Sequence, residues 1–143
     1  MRLEVITPEI LQVILRWWED RGDGSMPAEL LPPFGVVAID DEGPAAAAWL
    51  SEVRGCPVGN IDWLVGRPGM SPTTARSACR AVFAALEAEA ARIGIKMLFA
   101  CAYRHSIYRE AARCGFTEIS RGVINMAKPL AYVAPSHPGV LPR

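Results

Sequence analysis

A chain of 143 residues can bury one two-layer core, and its 51% hydrophobic and 21% charged residues are those of a globular protein, not a disordered one. Its 15 basic and 15 acidic side chains cancel to a formal net charge of zero. That balance excludes the massed Lys and Arg with which a nucleic-acid binder neutralises phosphates. It also leaves little self-repulsion, so association with a partner or a second copy is easy.

Cys56, Cys79, Cys101 and Cys114 are scattered, with no C-x-x-C pair and no His at ligand spacing. Neither a metal site nor a disulfide framework is expected, and the four read as buried, reduced thiols. The apolar stretch near the N-terminus is broken by Gln12 and Arg16. It is too short for a membrane span and lacks a small-residue cleavage site, so the expected location is the cytoplasm.

Along the chain, Leu3, Val5 and Thr7 alternate with Glu4 and Ile6, which predicts a short first strand. Thr7 can cap a helix with Pro8 at its first position, and Ile10, Ile14, Trp17 and Trp18 follow at helical spacing. Residues 22–33 read as a loop bounded by Gly22 and Pro33, with room for one turn at Ala28–Leu31. Phe34–Asp40 reads as a strand, the Asp40–Gly43 segment as an acidic turn and Pro44–Val53 as the returning strand. Ala45 to Ala48 favour helix by propensity, but the hairpin context and Pro44 decide for strand. Asn60–Val65 is the third strand of this meander, stopped by Gly66, Pro68 and Gly69.

A long helix follows. Ser71 caps it, Pro72 opens it, and Ala75, Ala78, Cys79, Val82, Phe83, Leu86, Ala90 and Ile93 recur with period 3.6 up to Gly94. Ile95–Cys101 is nearly all apolar, as in a central strand covered on both faces. Ser106–Cys114 reads as a short helix, and Phe116–Ser120 with Val123–Lys128 as a final hairpin. Residues 131–143 carry Pro135, Pro138 and Pro142 without periodicity and are expected to form an extended arm, disordered or lying on a partner. The expected organisation is one domain over 1–130 plus this arm. The fold class is α/β (α+β), a mixed, mostly antiparallel sheet in the order β-α-β-β-β-α-β-α-β-β.

Three local features, taken with that order, resemble the GNAT N-acetyltransferase superfamily. Strand Asn60–Val65 runs through a turn with Pro68 into the long helix. That helix ends at Gly94, directly before an apolar strand. Ser106 to Phe116 looks like the family's short helix ending in a Gly-Phe pair, here Gly115-Phe116. The resemblance covers roughly residues 1–128. The chain is also similar to the short GNAT-like proteins encoded by bacteriophages.

The resemblance implies an acetyl-CoA site at the start of the long helix, over Val65, Met70, Ser71, Thr73, Thr74, Ala75 and Arg76. The family's loop there usually carries glycines that bring backbone N–H groups to a pyrophosphate. In this chain they are absent, and Pro72 has no N–H at all. Helix start, hydroxyls and Arg76 could still hold a phosphate, although Ser-Pro-Thr-Thr is also a plain helix start. For catalysis the resemblance implies a base and an acid. Asp62 is the strand carboxylate nearest the base position, with Glu52 as an alternative. The family's tyrosine position, four before the glycine, is Ala111 here, which leaves Tyr108 one turn earlier as the acid and Tyr103 just before the helix. His105 is a base by residue type, or a surface residue at a helix start. Trp17, Trp18, Trp49 and Trp63 read as core or pocket wall.

Three functions follow. The first is an acyl-CoA-dependent N-acyltransferase moving an acetyl group to a small-molecule or protein amine. The second is a catalytically inactive GNAT-like binding or assembly module, for example of a phage, acting as a homo-oligomer or docking through its C-terminal arm. The third is an unrelated α/β protein.

Overall fold

A computed structural model describes residues 1–102, 104–124 and 126–130. Strand β1 (Arg2–Val5) leads to helix α1 (Pro8–Asp20), then a single 3-10 turn (Ala28–Leu30). Strands β2 (Phe34–Asp40), β3 (Gly43–Glu52) and β4 (Val58–Gly66) form the meander, and helix α2 (Pro72–Arg92), strand β5 (Met97–Ala100) and helix α3 (His105–Arg113) complete the described elements. The caps read from the sequence form: Thr7 Oγ1 accepts from the Ile10 amide at 3.3 Å and Ser71 Oγ from the Thr74 amide at 3.1 Å.

The five strands make one sheet in chain order, antiparallel from β1 to β4. Strands β4 and β5 run parallel, because α2 carries the chain back across the sheet between them. On one face α1 packs Ile14, Trp17 and Trp18 against Val37, Ala47, Trp49 and Val65. On the other, α2 packs Ala78, Val82, Phe83, Leu86 and Ala90 against Val36, Ala38, Ala48, Leu50 and Ile61, and α3 adds Ala111. Ala45 to Ala48 are all buried on β3, divided between the two faces. Two helical layers covering one strand leave space there for methyl groups only, so burial overrides the helical propensity of alanine.

Two expectations are corrected. Ile95–Cys101 is not a strand covered on both sides. Its strand is shorter, Met97–Ala100, lies at the edge of the sheet among the described residues, and leaves Met97 55% exposed and Phe99 37% exposed. The cause lies downstream. Phe116–Ser120 and the described part of Val123–Lys128 form no strand, so nothing from that segment extends the ladder. Ile119, Val123, Ile124 and Met126 are exposed, and the local order there comes from an Arg121–Glu118 ion pair three residues apart. Apolar alternation selects a strand only when a sheet edge accepts it in register. The expected arm, 131–143, lies outside the described residues.

The thiols also differ from expectation. Cys79 and Cys114 are partly buried, whereas Cys56, in the β3–β4 turn, and Cys101, just past the edge strand, are exposed. Burial pushes the Cys79 thiol up to about 12, helped by the Glu110 carboxylate, so it stays protonated and inert at neutral pH.

Candidate active site

The β3–β4 ladder breaks its rhythm at one place. Ala47 pairs with Val65 and Trp49 with Asp62, so two residues of β4, Trp63 and Leu64, face the single Ala48. This is a β-bulge. Trp63 sits in the left-handed region with φ 60°, where a bulky L-residue is strained, and it is the only non-glycine at positive φ among the described residues. Surrounding structure maintains the strain: the Trp63 side chain packs against the α1-side cluster while Leu64 packs on the α2 side.

The β4–β5 ladder ends at the same level. Its register runs from Val58↔Met97 to Ile61↔Ala100 and stops. Residues 62–66 of β4 therefore continue past Ala100, where β5 ends, and have a gap beside them in place of a β5 neighbour. A strained bulge thus lies beside the gap.

Asp62 stands on the bulge's near flank. Ser51 Oγ, on β3, donates a hydrogen bond to its Oδ2 at 2.5 Å in partly buried surroundings. The bond orients the carboxylate and leaves its second oxygen without a partner among the described residues. Glu52, the alternative base, is exposed and pairs with Gly59 at the other end of the ladder, away from the bulge. Val65 is buried against the α1-side cluster, so only its backbone is available to a ligand.

The start of α2 lies just beyond. Met70 underlies the end of β4, close enough that a Cβ on Gly66 would come within 3.0 Å of its methyl group. Ser71 and Thr74 hydroxyls bond each other at 2.9 Å, the Thr74 amide is taken by Ser71 Oγ, and the Ala75 amide by the Ser71 carbonyl. What remains toward solvent is exposed Thr73, whose hydroxyl accepts a long 3.4 Å bond from Arg76. Thr73, Arg76, Ser77 and Arg80 line a shallow hollow of about 400 Å³ along this face of α2. The hollow is cationic and begins at a positive helix end, which suits phosphate groups.

Tyr108 and His105 lie on α3 with stacked rings, centroids 6.0 Å apart. Both line a broad groove of about 1120 Å³ running along β5 to Phe116 and Val123. Tyr108 reaches the neighbourhood of Glu118, whose carboxyl is held low first by Arg121 and in small part by the Tyr108 hydroxyl. Tyr103 lies outside the described residues. The site residues therefore fall into two groups: Asp62 and Val65 with the helix start, and Tyr108 on α3, in the groove along β5.

Three residues that the sequence did not single out shape this region. Arg67 Nη2 bonds Asp40 at 2.8 Å and Glu42 at 3.0 Å, and Nη1 reaches the Pro44 carbonyl at 3.1 Å, fastening the end of β4 to the β2–β3 turn. Arg21, just after α1, donates to the Gly66 carbonyl at the end of β4. Glu110, only 3% exposed, joins Arg80 of α2 at 3.2 Å to Arg113 of α3. Burial pushes the Glu110 carboxyl up, but the Arg80 hydrogen bond and the charges of Arg113 and Arg80 outweigh it and hold the group below its ordinary value.

Among solved structures the chain matches an aminoglycoside N-acetyltransferase, AAC(6')-Iy, in complex with CoA, with TM-score 0.59 and 14% identity over 90% of this chain and 100% of that one. This is a GNAT-like fold. It also matches TTHA1254 from Thermus thermophilus, with TM-score 0.61 and 16% identity over 92% and 99% of the two chains. A third match is the aminoglycoside acetyltransferase meta-AAC0020 from an uncultured soil metagenomic sample, in complex with sisomicin. Its TM-score is 0.61, with 14% identity over 91% and 96%. No family model and no curated protein sequence matches the chain. The expected GNAT-like order from β1 to α3 is thus found in space. Among the described residues no helix is long and apolar enough to cross a membrane, and no group of three or more His, Cys, Asp or Glu could hold a metal.

Proposed function

We propose that the chain is an acyl-CoA-dependent N-acyltransferase that moves an acetyl group to an amine inside the cell. The observation that carries this reading is the bulge at Trp63-Leu64, placed where β4 leaves β5. Amides freed from a ladder and fixed by a strained backbone are suited to polarise a carbonyl, because they are already oriented before charge develops on the oxygen.

The residues fit an acetyl-CoA donor in part. Thr73 and Arg76, with Arg80 beyond, would hold its phosphates, and the backbone of Val65 and the side chain of Met70 would flank its thiol arm. That donor supplies a thioester carbonyl open to attack. Asp62, oriented by Ser51, takes a proton from the acceptor ammonium. As the new N–C bond forms and the C–S bond breaks, the Tyr108 hydroxyl gives a proton to the sulfur, and the second proton lost by the nitrogen returns to the tyrosine oxygen. The gap between β4 and β5 fixes donor and acceptor against each other. Neighbours of the same fold bind CoA in one case and sisomicin in another, which supports donor and amine acceptor as ligand classes.

A second reading has an observation of its own. Pro72 offers no amide, and the Thr74 and Ala75 amides are already bonded, which leaves few donors for a pyrophosphate. On that reading the fold is a binding or assembly module, self-associating or docking through the arm at 131–143, and catalysis is absent. Thermal denaturation with acetyl-CoA separates the two. A ligand bound only by the native state raises Tm as its concentration exceeds Kd. The enzyme reading requires such a rise and its loss in Thr73→Glu, which sets a negative charge beside the phosphates; no rise at millimolar acetyl-CoA favours the module.

A further inference from the structure

Strand β1 is an edge of the sheet among the described residues. Its side chains alternate between the two faces. Leu3 and Val5 pair with Ala38 and Val36, which belong to the α2-side core, so they stand on the α2 face. The buried sheet residues of that core come from β2, β3 and β4. Leu3 and Val5 therefore stay 43% and 56% exposed, with Met1 in line at 53%. Arg2 and Glu4 stand on the α1 face, where Arg2 Nε meets Glu4 Oε1 at 2.7 Å.

One contact shows which way each backbone group points. The Ile6 amide donates to the Gly35 carbonyl at 3.0 Å, continuing the register that pairs Val5 with Val36. Hydrogen-bonded and non-bonded pairs alternate in an antiparallel ladder. Arg2 and Glu4 therefore bond inward to β2, and the N–H and C=O groups of Leu3 and Val5 point outward. An edge with outward amides is a template for another strand, and this one carries neither proline nor bulge to prevent pairing.

A second β1 laid antiparallel must set outward residues against outward residues. Pairing centred on Arg2 or on Glu4 then opposes like charges. Centring on Val5 runs Arg2 past the end of the partner's strand. Centring on Leu3 sets Arg2 against Glu4 of the partner subunit, in a non-bonded pair, where side chains approach most closely. Leu3 then exchanges amide bonds with Leu3 of the partner subunit, and Val5 falls opposite the partner's Met1. In that register the edge complements itself in backbone bonds, in apolar side chains and in charge. Zero net charge adds no general repulsion.

We propose that a second copy of this chain docks on β1 in the Leu3-centred register. The result is a two-fold dimer with one continuous sheet, and the Leu3 and Val5 side chains of both copies lie together between the two α2 helices. The proposal is independent of the acyl-transfer reading. A contact this short belongs to the weak class of interfaces, with a Kd on the order of tens of micromolar.

Sedimentation equilibrium of the full chain, at concentrations on both sides of that Kd, tests it. The expected result is a monomer–dimer equilibrium that weakens with salt, because the paired charges are exposed. Arg2→Glu and Glu4→Arg should each raise Kd by about ten-fold or more, since each opposes like charges. An equimolar mixture of the two should dimerise, because every facing pair is then of opposite sign. The double variant carrying Arg2→Glu and Glu4→Arg should recover a Kd within about three-fold of wild type. Leu3→Lys, at an exposed position, should give a monomer with an unchanged circular dichroism spectrum. A wild-type chain that stays monomeric at every concentration overturns the proposal. So does a dimer that Leu3→Lys leaves intact, which puts the contact on another surface. A dimer lost on deletion of residues 131–143 but kept in Leu3→Lys assigns association to the arm and overturns it too. A double variant that stays dissociated overturns the Leu3-centred register.

Discussion

Ser51 gives its hydroxyl hydrogen to Asp62 across 2.5 Å, from the strand adjacent to the bulge. The donor is two positions along β3 from Trp49, which pairs with Asp62, so it approaches diagonally and fixes one carboxylate oxygen. If Asp62 is the base, Asp62→Asn lowers kcat by about 10²-fold or more, the usual contribution of a positioned base. Ser51→Ala, which removes only the orientation, lowers it by less. Acetyl-CoA affinity measured by calorimetry should be unchanged in both. Full activity in Asp62→Asn would assign proton removal to another group.

The bulge can be tested through its backbone. Holding a non-glycine residue in the left-handed region costs about 1–2 kcal/mol, and glycine is free of that cost. Trp63→Gly should therefore keep the bulge and a larger share of kcat than Trp63→Val, although it removes more side chain. Valine, branched at Cβ, resists positive φ and should pull the ladder back into regular pairing. Steady-state kinetics of the two variants gives the order, and the reverse order would mean that the indole matters rather than the backbone.

Acid should weaken the link between α2 and α3. The Glu110 carboxyl is held below its ordinary value of 4.5, so the folded state favours the charged form. Its contribution is complete above that ordinary value and is lost as pH falls through the lower folded value. Asp40 behaves the same way because Arg67 bonds it. Glu110→Gln should cost about 1–2 kcal/mol at pH 7, at the low end for charged hydrogen bonds because both arginine partners are more than half exposed. The difference from wild type should shrink below pH 4 in urea titrations.

Gly35 on β2 has no room for a side chain. A Cβ there would come within 2.6 Å of the Trp49 ring and 2.8 Å of the Ile6 terminal methyl. Gly35→Ala forces both to move in a packed layer and should cost about 1–3 kcal/mol. The measurable outcome is a lower urea midpoint with an unchanged m-value.

Much of the frame was determined by the sequence alone. The bounds of β2, the caps Thr7 and Ser71, and the α2 stripe from Ala78 to Ala90 depend on neighbours within a few positions, and the chain writes those neighbours out in order. The parallel pairing of β4 with β5 follows from the length of α2 between them. Tertiary structure decided the remainder. Nothing in Asn60 to Val65 announces a bulge, and a tryptophan argues against positive φ; the extra residue appears only when Ala48 is set opposite Trp63 and Leu64. Residues 116–128 alternate like a hairpin, yet form no described strand, because alternation states which face would be buried and not whether an edge is there to bury it. Arg21 reaches Gly66 across 45 positions and Arg80 reaches Glu110 across 30, distances over which local pattern carries no information. Those contacts depend on how the helices lie on the sheet, which is set by packing the whole core at once.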